Sequence, residues 1–399
     1  MFHQINARTA STIAALGLSI AAVLAPSAAR ALTLDAALNE QVVMVPATAS
    51  AALETTLFKP PGEGPFPVVI MNHGKALGSP REQARDRFLA ISREFVKRGY
   101  AVVIPMRQGF AHSGGEYANY GCDMASNGQA QAEDLESTVA WLRQQPWADT
   151  QHMLVAGQSY GGLATLAFGT HKIDGVKGLL NFAGGLKVHG GDCNWQGALV
   201  KAFMSYGAKT AVPSLWFYGA NDQHFGPALA SRLYQAYQRA GGHATLVAYG
   251  PFKQDAHGMA GSREGVKVWW PDTEKFLKDI GMPTRETVAL ADEPALPQSG
   301  FAAIEDVAAI PYLGRKGRDQ YRAFLDKSYP RAFAVSASGA WSWVEDGDDP
   351  VQQALAECQK GSRTPCQIYA VDNKVVWSGE APAVMAGTTA GKGERQAGP

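Results

Sequence analysis

Cysteine is scarce in this 399-residue chain, and neither sign of charge is in excess. There are four cysteines, Cys122, Cys193, Cys358 and Cys366, with no C-x-x-C pair and no histidine cluster among them. That argues against the common structural zinc modules, and no metal site is expected. Lys+Arg and Asp+Glu each count 36, so no net basic field exists to attract nucleic acid or an acidic membrane surface. Beyond the N-terminal segment no apolar run reaches bilayer length, and no internal repeat is visible. What is present is a composition that is 46% apolar, enough for a large core and two or three domains.

The N-terminal segment reads as a cleaved signal peptide over residues 1–31. Arg8 and the terminal amine supply positive charge. Ile13 to Leu24 is an apolar run of h-region length. Ala29-Arg30-Ala31 places small residues where a signal peptidase reads them. Export, as a secreted or periplasmic protein with no membrane association after cleavage, changes the meaning of the cysteines. In an oxidising compartment an even count points to disulfides. Cys358 and Cys366 lie close together in "CQKGSRTPC" and are expected to pair, leaving Cys122 with Cys193.

Strand and helix patterns then alternate. "EQVVMV" and "LETTLFK" read as an antiparallel edge pair, and "FPVVIMNHG" as a buried strand. Apolar residues at helical spacing predict a helix over Arg81 to Arg98, stopped by Gly99, and "YAVVIPM" predicts another buried strand. A helix over Ala130 to Gln144 follows, ended by Pro146. Then come the strands "MLVAG", "VKGLLNFAG", "PSLWFYG" and "ATLVAYG". The helices among and after them are Gln196 to Tyr206, Pro227 to Ala240 and Gly265 to Ile280. Fully apolar strands separated by helices imply an α/β fold, a mostly parallel sheet of about eight strands with helices on both faces. The expected domains are a catalytic domain over 32–281, a linker over 282–300, a small α+β C-terminal domain over 301–380 and a disordered tail over 381–399.

Gly157-Gln158-Ser159-Tyr160-Gly161 fits G-x-S-x-G. An ordinary strand-to-helix turn also uses glycines, but this serine follows a buried strand and opens an apolar helix. That context favours an exposed nucleophile. A serine hydroxyl needs a base. His152 and His243 begin strands, His171 ends a helix, and His189 and His224 lie in loops. His257, in "KQDAHGMAG", follows the last strand, so the parallel sheet carries it to the same edge as Ser159. Asp222, in "WFYGANDQHF", follows the preceding strand and is expected to orient His257. Asp255 and Asp192 are the rivals. The oxyanion donors are expected to be the backbone N–H of Tyr160 and that of Lys75 or Ala76.

The set "HG", "RQGFAHSGG", "GQSYGG", "GANDQHF" and "AHG", over Leu53 to Ile280, resembles the α/β-hydrolase superfamily, in particular its dienelactone-hydrolase-like group. Dienelactone hydrolases proper use a cysteine nucleophile, whereas this chain has Ser159. "GQSYGG" is also similar to the prolyl-oligopeptidase family. The C-terminal module is similar to modules of exported bacterial proteins. The resemblance implies an exported serine hydrolase of carboxylic esters that needs no cofactor. A serine peptidase of short peptides and a non-catalytic binding protein on the same scaffold are the alternatives. The partner is then a small ester or a short peptide. His73, Tyr117, Tyr120, Trp195 and Phe225 are expected around the substrate pocket, His73 chiefly as a hydrogen-bonded brace.

Overall fold

A computed structural model describes residues 34–76, 78–188, 192–290, 296–327, 330–345 and 350–379. The expected signal peptide and the expected tail lie outside these residues.

The first sheet has eight strands: β1 (Gln41–Pro46), β2 (Ala52–Phe58), β3 (Phe66–Asn72), β4 (Ala101–Pro105), β5 (Ala148–Gln158), β6 (Val176–Phe182), β7 (Ser214–Gly219) and β8 (Ala244–Tyr249). Their spatial order is β1-β2-β4-β3-β5-β6-β7-β8. β1 and β2 pair antiparallel, β2 runs antiparallel to β4, and the remaining pairs are parallel. The helices are α1 (Leu89–Lys97), α2 (Met124–Leu142), α3 (Tyr160–Phe168), α4 (Trp195–Gly207), α5 (Pro227–Arg239) and α6 (Val266–Asp279).

Strand side chains alternate between two cores because the strand period is two. Val68 and Ile70 of β3 join Leu135, Leu163, Phe203 and Leu233 on one face. Val69 and Met71 join Phe95, Trp269 and Leu277 on the other. Both faces are covered, so the central strands read as unbroken apolar runs. Each large apolar side chain buried in this way contributes about 1.5–3 kcal/mol relative to exposure.

Two helices depart from expectation. The pattern over Arg81 to Arg98 yields α1 only from Leu89 onward, after a short 3-10 turn at Pro80–Glu82. Tertiary contacts hold the intervening segment. Thr56 Oγ1 donates to the Asp86 carbonyl (2.7 Å), Arg87 Nε donates to Glu40 (2.9 Å), and Phe88 takes a left-handed φ of 42°. In contrast, α2 starts at Met124, before the expected Ala130. The Asp123 carboxylate caps it by accepting from Ser126 N at 3.0 Å.

A second, antiparallel sheet follows, of order β10-β9-β11-β12. It comprises β9 (Arg331–Ser336), β10 (Trp341–Glu345), β11 (Cys366–Val371) and β12 (Lys374–Val375), with α7 (Arg315–Leu325) and α8 (Pro350–Lys360). Its apolar clusters, around Phe333 and Tyr369 and around Ala354, are separate from those of the first sheet. Disulfides join Cys122 to Cys193 and Cys358 to Cys366. The first ties the loop before α2 to the loop before α4, and the second ties α8 to β11. Among the described residues, no helix is long and apolar enough to cross a membrane, and no three metal-ligating side chains gather.

Candidate active site

Ser159 stands between β5 and α3 with φ 57° and ψ −122°. A non-glycine residue takes such a conformation only when its surroundings enforce it. The enforcement is visible. Ser159 N donates to the Phe182 carbonyl at 3.0 Å, and the Ser159 carbonyl accepts from Gly162 N and Gly185 N, each at 2.9 Å. The neighbouring glycines are obligatory by contact. A Cβ on Gly157 would lie 2.2 Å from the Gly161 carbonyl oxygen, and one on Gly161 would lie 2.1 Å from that of Asn72. The turn is therefore a sharp elbow that packs against β3 and lifts the serine above the sheet edge.

β7 and β8 end at that edge too. Asp222 follows β7, and its side chain is fully buried. One carboxylate oxygen, Oδ1, accepts from the backbone N–H groups of His224 (2.8 Å) and Phe225 (2.7 Å). The other, Oδ2, faces His257 Nδ1 at 3.1 Å. Burial pushes the Asp222 carboxyl up, but His257 and the two backbone donors outweigh it and hold the pKa below the usual value. An ionised Asp222 accepts the Nδ1 proton and leaves His257 Nε2 with a lone pair. Asp255 serves the loop instead: its Oδ1 accepts from His257 N (2.9 Å) and Gln223 N (3.1 Å). Asp192 is exposed.

Ser159 and His257 line one cavity of about 500 Å³. Tyr160, Lys75 and Ala76 line it as well. Gly74 runs close beside the elbow, since a Cβ there would lie 3.3 Å from Ser159 Cβ. Of the two candidate second donors, Ala76 N already donates to Gln83 Oε1 at 2.9 Å. That bond leaves Lys75 N as the better placed group.

The expected pocket residues divide. Phe225 lines the cavity; His73, Tyr117, Tyr120 and Trp195 are not among its walls. His73 is fully buried, with Nδ1 against the Gly74 carbonyl (2.7 Å) and Nε2 accepting from Arg107 N (3.0 Å). Burial and the Arg107 charge press its pKa well down, so it is a neutral brace between the loops after β3 and β4. Tyr117 packs edge-on to Phe110 and Tyr160 behind the site. Trp195 packs edge-on to Phe225, and Tyr120 is exposed beside Cys122.

Three residues on the cavity wall escape sequence reasoning. Gln158 Nε2 donates to the His257 carbonyl at 3.2 Å, linking the elbow to the histidine loop. The His224 ring lies 4.4 Å from that of His257, centroid to centroid. Glu345, from the second sheet, reaches the cavity wall. Gln158 and His224 sit inside the quoted motifs, which is the one signal that marks them. Glu345 has none.

The model of the X-Pro dipeptidyl-peptidase (S15) family matches residues 50–211, which hold the elbow and the strands around it. The match and the sheet order agree on the fold. The chain has the α/β-hydrolase fold. A cocaine esterase of Rhodococcus sp. (strain MB1 Bresler) is 30% identical to this α/β-hydrolase over 145 residues, 34% of the chain and 22% of the esterase. The chain thus matches about a fifth of that relative's length. Among solved structures, the α/β-hydrolase is similar to an acylaminoacyl peptidase of Pyrococcus horikoshii (18% identity, 63% of this chain, 43% of that chain, TM-score 0.48). It is also similar to a Klebsiella pneumoniae protein assigned as a dienelactone hydrolase (19% identity, 61% of this chain, 98% of that chain, TM-score 0.44).

Proposed function

We propose that this α/β-hydrolase is an exported serine hydrolase that cleaves carboxylic esters through Ser159, His257 and Asp222. The observation that carries this reading is the buried Asp222 carboxylate at 3.1 Å from His257 Nδ1, in one cavity with the serine of the strained elbow. Ser159 Oγ attacks the ester carbonyl carbon while His257 Nε2 takes its proton. The carbonyl oxygen becomes an oxyanion held by the N–H groups of Tyr160 and Lys75, and the α3 N-terminus favours that charge. The intermediate collapses, and His257 returns the proton to the departing alcohol. Water then repeats the cycle on the acyl-enzyme and releases the acid. The catalytic domain is read as 32–281 and the C-terminal domain as 301–380. The two disulfides support an oxidising compartment, in keeping with signal cleavage after Ala31.

A second reading keeps the mechanism and makes the scissile bond an amide, acting on short peptides. The match to the X-Pro dipeptidyl-peptidase model favours it. The test is a panel of p-nitrophenyl acyl esters beside aminoacyl and X-Pro arylamides, with a fluorophosphonate probe on Ser159. Ester turnover that Ser159→Ala lowers by about 10⁶ supports the first reading. Faster cleavage of X-Pro arylamides moves the assignment to the second. Absence of both labelling and turnover leaves a binding protein.

A further inference from the structure

The cavity that holds Ser159 and His257 is not closed by the first sheet alone. Pro330 and Glu345 also line it, and both belong to the C-terminal module. They come together because β9 and β10 pair antiparallel with Glu345 opposite Arg331. That places the start of one strand and the end of the other at one edge.

This edge is held from behind. The Arg331 guanidinium, 4% exposed as a residue, donates through Nη1 to the carbonyls of Phe324 (2.5 Å) and Lys327 (2.9 Å) and through Nε to that of Asp372 (3.1 Å). Lys327, fixed at its carbonyl, pairs through Nζ with Glu345 Oε1 at 2.8 Å and lies 4.9 Å from the Trp343 ring centre. Of the pair, only Glu345 faces the cavity. A chain of hydrogen bonds therefore fixes the Glu345 side chain at the cavity wall. The two lysines on the cavity wall are directed elsewhere. Lys75 Nζ donates to the carbonyls of Ala76 and Gly78, and Lys187 lies over the Trp195 ring.

We propose that the C-terminal module is part of the active site, with Glu345 as a specificity-determining residue that disfavours anionic groups on the substrate portion reaching the Pro330–Glu345 edge. The proposal rests on the serine-hydrolase reading. It adds that substrates large enough to reach this edge are neutral or cationic there. Small esters that stop short of it are indifferent to Glu345.

The experiment compares the parent protein with Glu345→Gln, which keeps the shape and removes one negative charge, and with Glu345→Lys, which reverses it. Two series are measured at fixed ionic strength. One has acyl groups ending in methyl or in carboxylate (hexanoyl against adipoyl monoester). The other has neutral or carboxylate-bearing phenol leaving groups, and p-nitrophenyl acetate is the control. In at least one series the anionic-to-neutral ratio of kcat/KM should rise about fivefold in Glu345→Gln and further in Glu345→Lys. The acetate rate and fluorophosphonate labelling of Ser159 should stay within twofold. Ratios unchanged within twofold in both series, with the parent active, overturn the proposal and leave the serine-hydrolase reading standing. A parent that neither turns over esters nor takes the probe overturns both.

Discussion

Asp222→Asn exchanges one atom and should stop the chemistry. Two backbone N–H groups bind Oδ1 at 2.8 and 2.7 Å, so that position must remain an oxygen. The amide nitrogen of the asparagine then faces His257 Nδ1, and an amide nitrogen only donates. Nδ1 must become the acceptor, which sends the ring proton to Nε2. The nitrogen that should take the Ser159 proton is thereby blocked. A wrong tautomer of this kind costs about 10⁴ in kcat in serine triads, or about 5.4 kcal/mol at about 1.36 kcal/mol per decade. The lost electrostatic support of the imidazolium has the same size. Two unit charges at the 3.1 Å of the Oδ2–Nδ1 contact interact by about 5 kcal/mol at an effective dielectric constant of about 20. These are two views of one loss and do not add. Steady-state kcat on a p-nitrophenyl ester, with thermal melting as the control for folding, measures it. In a Ser159→Ala background the asparagine should cost almost nothing more, because the residues act as a unit. A fall in kcat of less than tenfold, with melting unchanged, would refute the role of Asp222.

Other expectations follow from the same contacts. Gly161→Ala forces a Cβ to within 2.1 Å of the Asn72 carbonyl oxygen, so either the elbow or β3 must shift; overpacking costs of about 1–3 kcal/mol should appear as a lower urea midpoint together with lost ester turnover. Replacing Cys122 and Cys193 together by serine opens a loop of 71 residues and should lower stability by about 4 kcal/mol, against about 2.5 kcal/mol for the 8-residue loop of Cys358 and Cys366, as read from denaturant curves. Glu264 gives a pH signature. Burial pushes its carboxyl up, but the Ser262 hydroxyl at 2.8 Å, its own backbone N–H and Lys253 at 3.1 Å bring it down from 4.5 to about 2. Its pKa is lower folded than unfolded, so its stabilising effect is present above pH 4.5 and is lost as pH falls toward 2. Glu264→Gln should therefore melt earlier than the parent at pH 7, and the gap should close across that window.

The sheet was legible because β4 and β7, and the later parts of β3, β5 and β6, are buried and mostly apolar. The elbow was legible because its glycines are required by backbone contacts that no other residue tolerates. Sequence reading fails where long-range partners outvote local pattern. The residues before Leu89 have helical periodicity, yet contacts to Glu40 and Thr56 hold them outside the helix. The start of α2 is polar, so its apolar period shows only from its middle, while the Asp123 cap sets its true beginning. Of the expected pocket residues, Phe225 lines the cavity and the others pack nearby. His73 and Tyr117 lie in neighbouring loops, and their rings pack edge-on against Phe110. Glu345 was out of reach altogether: nothing in a strand-ending "WSWVE" signals a place on the wall of a cavity that also holds Ser159.

All nine residues of α3 are buried, from Tyr160 to Phe168. The helix that carries Ser159 at its head is therefore set wholly inside the molecule and cannot rock without tearing the core open. Everything adjustable around Ser159 lies elsewhere, on loops and on the edge of another sheet. A scaffold divided in this way can drift in what it admits, residue by residue along its rim, with Ser159 left undisturbed.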